Sequence, residues 1–135
     1  MRLSVLASCA VLPLLAACGI TGPAHEEGVP AGVDAVVEAT STLNFSPASV
    51  TIPSGGTVEW RNTGIMTHTV TADPARAKDS ADVRLPEGAQ PFDSGDIPAG
   101  QVWRHTFEAP GEYRYFCKPH ESYGMVGTVI VQPGG

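Results

Sequence analysis

Cysteine is scarce in this sequence: three residues in 135, at Cys9, Cys18 and Cys117. Two of the three fall within the first eighteen residues, so the rest of the chain holds one thiol and no disulfide framework. Positive charge is short as well. Eight Lys and Arg stand against fourteen Asp and Glu, giving a net charge of −6, which disfavours nucleic acid and anionic lipid as partners. No compact acidic docking patch replaces them, because Asp73, Asp79, Asp82, Glu87, Asp93 and Asp96 are scattered and read as solvated surface. The apolar run from Leu3 to Ala16 is too short and too soon interrupted to cross a bilayer. Beyond residue 34 little supports a helix.

The beginning of the chain does carry signals. One cation, Arg2, precedes the apolar run, which ends in small residues, so residues 1–17 read as a secretory signal. Leu15-Ala16-Ala17-Cys18 resembles a bacterial lipobox, which implies a lipid-modified Cys18 at the start of the exported protein; an ordinary cleaved signal is the alternative. Loss of Arg2 with the signal would take the net charge from −6 to −7. Gly19 to Asp34, rich in Gly and Pro and without an apolar period, reads as a flexible tether of residues 18–34 behind the anchor. Sixteen such residues span roughly 20 to 24 Å as a coil. His25, beside Glu26 and Glu27 in this stretch, has nothing to fix a binding geometry.

Residues 35–135 read as a single all-β domain, with a hydrophobic fraction of 42% ample for a core. Alternation predicts strands near Ala35 to Thr40, Ser49 to Ile52, Thr57 to Asn62, His68 to Thr71, Val102 to Phe107, Gly111 to Cys117 and Gly127 to Val131. Seven to eight such strands imply a β-sandwich. Val58 and Trp60 share an inward face while Glu59 and Arg61 alternate outward. The same rule points Tyr113, Tyr115 and Cys117 inward and Arg114 and Phe116 outward. The charged segment from Asp73 to Pro91 reads as a solvated crossing with one helical turn near Ala75 to Asp82. His105 shares the interior side with Trp103 and Phe107 and is expected as a half-buried histidine held by a backbone partner.

Chemistry concentrates in Gly111 to Val131, where Cys117, His120 and Met125 fall close together between two alternating segments. An unpaired thiol in an oxidising compartment needs an occupation, and metal ligation is one. A thiolate, two imidazoles and a weak thioether form the donor set of a mononuclear blue-copper centre, and His68, far upstream, supplies the second imidazole. The order Cys117, two residues, His120, four residues, Met125, with His68 upstream, resembles the ligand loop of the cupredoxins, closest to the plastocyanins. The likeness runs from about Leu43 to Val131. It includes Phe45-Ser46-Pro47, Val50-Thr51-Ile52, Pro53-Ser54-Gly55-Gly56, the strand Thr57 to Asn62, and Gly124-Met125-Val126-Gly127.

That resemblance implies a Greek-key β-sandwich and a type 1 copper ion bound by His68, Cys117, His120 and Met125, with His120 nearest the surface. Pro119 would stiffen the approach to His120, and Gly124 would relieve crowding beside Met125. Phe116 occupies the position of a remote electron port, without the tyrosine hydroxyl; an edge aromatic covering the sandwich is the plainer account. Thr69 departs from the Asn that follows the upstream His in the plastocyanins and azurins, which puts the hydrogen bonding near the sulfur in doubt. Ile65, Met66 and Met125 are the apolar candidates for docking near the ligands.

The function implied is single-electron transfer between a redox donor and acceptor by a monomer, exported and lipid-anchored at the outer face of a bacterial membrane or in the periplasm. Copper storage or delivery with the same ligands is the alternative. Catalysis is disfavoured: multicopper enzymes need further His clusters, and a binuclear copper centre needs a second Cys beside Cys117. Structural zinc would favour an N, O or thiolate donor in place of Met125.

Overall fold

A computed structural model describes residues 28–134. The signal segment 1–17, the lipidation candidate Cys18 and His25 lie outside the described residues. Within them are nine strands: β1 (Ala35–Ala39), β2 (Phe45–Ser46), β3 (Ser49–Pro53), β4 (Gly56–Asn62), β5 (Thr71–Ala72), β6 (Phe92–Asp93), β7 (Val102–Phe107), β8 (Gly111–Phe116) and β9 (Val126–Gln132). They form a four-stranded sheet in the order β2-β1-β4-β7 and a five-stranded sheet in the order β3-β9-β8-β5-β6. Neighbours in sequence often lie in different sheets, and β1 with β4 and β3 with β9 pair in parallel, as expected of a Greek-key sandwich. β2 and β6 are two residues each, too short to leave a period in the sequence. The strand expected over His68 to Thr71 is confined to β5, while His68 forms an isolated bridge with Ile97.

The inward faces of the two sheets supply the core. Val37, Val58, Trp60 and Phe107 meet Ile52, Tyr113, Tyr115, Val129 and Val131, all buried. Complete burial of an apolar side chain of this size contributes ~1.5–3 kcal/mol. Trp60 and Tyr115 meet edge to face at 5.3 Å between ring centroids. The Tyr115 ring lies over Gly127, its cross-strand partner, where any Cβ would collide with the phenol. Two residues ahead of β1 the tether segment already belongs to the domain: Val33 is buried, and Asp34 and Thr57 exchange hydrogen bonds.

The outward faces depart from simple alternation. Glu59 points away from the core yet is only 3% exposed. Arg61 Nε donates to one carboxylate oxygen and Arg104 Nε to the other, each at 2.6 Å. Arg104 is the cross-strand partner of Glu59 and Arg61 lies on the same face of β4, so their stems roof the carboxylate. The segment 73–91 is likewise not a free crossing. Its helical content is a 3-10 turn at Ser80–Asp82, and Arg84 exchanges two backbone hydrogen bonds with Arg114 of β8. His105 stacks on Trp103 with an interplanar angle of 13° and lies 4.3 Å from the Phe92 ring, so aromatic neighbours hold it in place of the backbone partner expected.

Burial raises the Glu59 pKa, but the hydrogen bonds and charges of Arg61 and Arg104 outweigh it and bring the pKa below the ordinary 4.5. The resulting stability is present above about pH 4.5 and is lost as pH falls through the lower folded-state value. Glu59→Gln should therefore cost about 1–3 kcal/mol at neutral pH and flatten the acid limb of stability. Urea denaturation at neutral and acid pH checks this, and an unchanged acid limb would show that the ion pairs do not stabilise the fold.

Candidate metal centre

Two regions of the chain meet at one end of the sandwich. His68 enters through its bridge to Ile97, donating its N–H at 3.2 Å and accepting at 2.8 Å. The loop before it is organised by buried Asn62, whose amide donates to the Met66 and Ile97 carbonyls while its oxygen accepts the Gly64 N–H. Gly64 sits where a Cβ would lie 3.2 Å from His68 Nε2 and 2.9 Å from the Ser41 nitrogen, so only glycine leaves room for both. Neither Asn62 nor Gly64 stood out in the sequence. A polar residue on the inward face shared by Val58 and Trp60 was the available signal.

Cys117 follows the last residue of β8 and precedes a 3-10 turn at Lys118–Tyr123, with Pro119 in its first turn. The Cys117 N–H donates to the Met125 carbonyl at 3.0 Å and the His120 N–H to the Cys117 carbonyl at 3.1 Å, closing the loop on itself. Gly124 caps the turn at φ 77°, with nothing within 4 Å of its missing Cβ. Left-handed backbone, and not the crowding expected beside Met125, is what requires glycine there.

Three donor atoms converge. Cys117 Sγ lies 3.7 Å from His68 Nδ1 and 3.4 Å from His120 Nδ1, and all three lie within 4.8 Å of one another. His68 and Cys117 are fully buried and His120 is partly exposed. Burial, then the neighbouring His120 charge, pulls the His68 pKa below its ordinary value against the opposing Thr40 backbone, so the ring is neutral as a ligand must be. Burial pushes the Cys117 thiol up, while the Thr69 and His120 backbone N–H groups pull it back. A dry thiol beside two imidazole nitrogens gains most from a cation that holds it as thiolate. Nitrogen, nitrogen and sulfur donors of this kind fit copper. Met125 is fully buried in the core cluster that contains Cys117, so it offers no surface for docking.

Thr69 does more than its short side chain suggested. Its N–H donates to Cys117 Sγ at 3.3 Å and its hydroxyl accepts the Lys118 N–H at 2.9 Å, joining the two ligand segments. Phe116, by contrast, is not an exposed port: it is 0% exposed. The outer face it occupies is closed by the 73–91 segment, which bonds to Arg114 on the same face of β8 and to the ligand loop at Glu121. Ile65, 85% exposed, and Met66, 38% exposed, lie on the loop leading into His68. Tyr123, 74% exposed with its ring 6.4 Å from that of His120, is a further exposed aromatic at the site and was missed because it follows no strand period.

Glu121 was also missed. Next to His120 and only 5% exposed, it accepts the N–H groups of Lys78 and Asp79 through Oε1 at 2.7 and 3.0 Å. Glu121→Ala should release this clamp, cost about 2–3 kcal/mol and accelerate amide hydrogen exchange at Lys78 and Asp79. Unchanged exchange there would mean that Glu121 does not fasten the long segment.

Known proteins agree with this geometry. The model of the copper binding proteins of the plastocyanin/azurin family matches residues 31–132. The plastocyanin of Scenedesmus fuscus is 36% identical over 93 residues, which cover 69% of this chain and 91% of that protein. The chloroplastic plastocyanin of Tetradesmus obliquus is 37% identical over 93 residues, 69% of this chain but only 61% of that protein, so the chain spans less than two thirds of that relative. Among solved structures, a purple cupredoxin from Nitrosopumilus maritimus superposes with a TM-score of 0.57 at 27% identity, covering 73% of this chain and 100% of its own. A reduced amicyanin variant gives a TM-score of 0.59 at 24% identity, covering 78% and 88%, a likeness of fold alone.

Proposed function

The chain belongs to the plastocyanin/azurin family of copper-binding proteins, and from that premise we propose that it carries single electrons through one copper ion held by His68, Cys117, His120 and Met125. The family consists of electron carriers, not enzymes. The observation that carries the reading is one buried sulfur facing two imidazole Nδ1 atoms at 3.4 and 3.7 Å. Copper bound there supplies a one-electron couple. The protein's share is to keep the donors in place whichever oxidation state is present. His68 is anchored by its bridge to Ile97 and Cys117 by the end of β8, so little rearranges when charge changes. Rigidly held ligands, three of the four fully buried, also resist release of the ion, which favours electron transfer over copper storage or delivery.

His120 is the partly exposed member of the trio, so it is the natural edge for an electron to cross. Ile65, Met66 and Tyr123 offer an apolar docking surface around it for a redox donor and, in turn, an acceptor. We place the protein outside the cytoplasmic membrane of a bacterium, exported by residues 1–17 and held by lipid on Cys18, with the chain from Gly19 as tether. Support for the anchor comes from the lipobox-like Leu15-Ala16-Ala17-Cys18.

Copper reconstitution tests the centre. Cu(II) protein should show intense thiolate charge-transfer colour and reversible voltammetry with slow release of copper to a chelator. Cys117→Ser should abolish the colour. Colourless parent protein, or fast handover of copper to the chelator, would contradict the electron-transfer reading. For the anchor, the parent should sediment with membranes and Cys18→Ser should not; equal partition of both would remove the lipid.

A further inference from the structure

The hydrogen bonds of Thr69 continue away from the sulfur. Its Oγ1 lies 3.2 Å from Thr71 Oγ1, and the Thr71 hydroxyl lies 3.3 Å from Asp93 Oδ1. The other Asp93 oxygen meets Lys118 Nζ at 2.6 Å, and the Lys118 backbone N–H returns to Thr69 Oγ1 at 2.9 Å. The ring is therefore closed: Lys118 backbone, Thr69, Thr71, Asp93 and the Lys118 side chain. Thr69 and Thr71 are 1% and 0% exposed, so water does not compete for their hydroxyls.

Proton directions in this ring follow by elimination. The Lys118 amide only donates, so Thr69 Oγ1 accepts from it. The Asp93 carboxylate only accepts, so Thr71 must give it the one hydroxyl proton it has. Thr69 then donates its own proton to Thr71 Oγ1. The reverse orientation would leave Thr71 and Asp93 facing each other oxygen to oxygen without a proton, a costly arrangement for buried groups. Asp93 is fixed in its turn by the Gly95 N–H at 2.9 Å and by Arg76 at 3.5 Å. Every member has one role, and the charge at the far end sets the direction of the chain.

Resting on the copper-site reading above, we propose that Asp93 is a positioning residue for the Cys117 sulfur, acting through Thr71 to orient the Thr69 hydroxyl and through Lys118 to hold the ligand strand against it. Thr69 is the pivot: the hydroxyl that takes the Lys118 N–H and the amide that donates to Cys117 Sγ belong to one residue, so a loosened hydroxyl loosens the N–H to sulfur bond. Hydrogen bonds to a copper-bound thiolate tune its potential, because a donor at sulfur withdraws electron density. The sulfur thus receives a backbone N–H whose residue is held by two hydroxyls and a carboxylate.

Thr71→Val tests the relay without changing charge. The copper protein should shift its one-electron equilibrium toward Cu(II) by about threefold or more, on a scale of 59 mV per tenfold, and move its charge-transfer band. Thr71→Ser should restore both. In the copper-free protein, amide hydrogen exchange at Lys118 should accelerate in Thr71→Val and equally in Asp93→Asn, which also serves if the valine variant does not fold. A parent that takes up no copper would overturn the copper reading, while the exchange measurement would still decide the ring. Unchanged potential in Thr71→Val, or unchanged Lys118 exchange in Asp93→Asn, would overturn the proposal.

Discussion

A thiol sealed from water and faced by two imidazole nitrogens is the constraint on which the rest of this molecule depends. Cys117 Sγ has the Thr69 N–H at 3.3 Å and two ring nitrogens within 3.7 Å, in a place where burial alone favours the protonated thiol. Such a group gains little from its neighbours until a soft cation takes the proton's place. The fold provides this environment by bringing residues 68–71, at the start of the second half of the sandwich, against the end of β8. Neither segment holds the donors without the other.

Around that point the chain invests in stiffness. Asn62 ties the loop ahead of His68 to Met66 and Ile97, and Gly64 lets the backbone close against the imidazole. The Cys117 to Met125 backbone bond and the Gly124 cap fold the ligand loop on itself, and Glu121 fastens it to the 73–91 segment. Each of these is a hydrogen bond or a steric fit outside the donor set. Together they limit the reorganisation that a change of charge would otherwise impose on the donors. The apolar edge at Ile65, Met66 and Tyr123 stays exposed beside His120, so contact with another protein can occur where the site is thinnest.

The donors and most long strands were legible because they follow local rules: period-two alternation, and a thiol, imidazole and thioether at short spacing. Strand β7 was read to the residue at Val102–Phe107, and β4 and β9 to within one. What escaped depends on distant chain. Alternation reports the side of a sheet, not what covers it. Glu59 was placed outward correctly, yet Arg61 and Arg104 bury it, and Phe116 faces outward beneath a segment that a charged composition disguised as solvated. Thr69 was judged by its own reach, while its effect depends on the distant ligand loop, which brings the Lys118 N–H within 2.9 Å.

X-ray absorption at the copper edge, on the loaded protein in both oxidation states, tests the central claim most directly. One sulfur and two imidazole nitrogens close around copper are expected, with little change between Cu(II) and Cu(I). Copper surrounded by nitrogen and oxygen alone, or ligands that change in number on reduction, would contradict a preformed site built on the Cys117 sulfur.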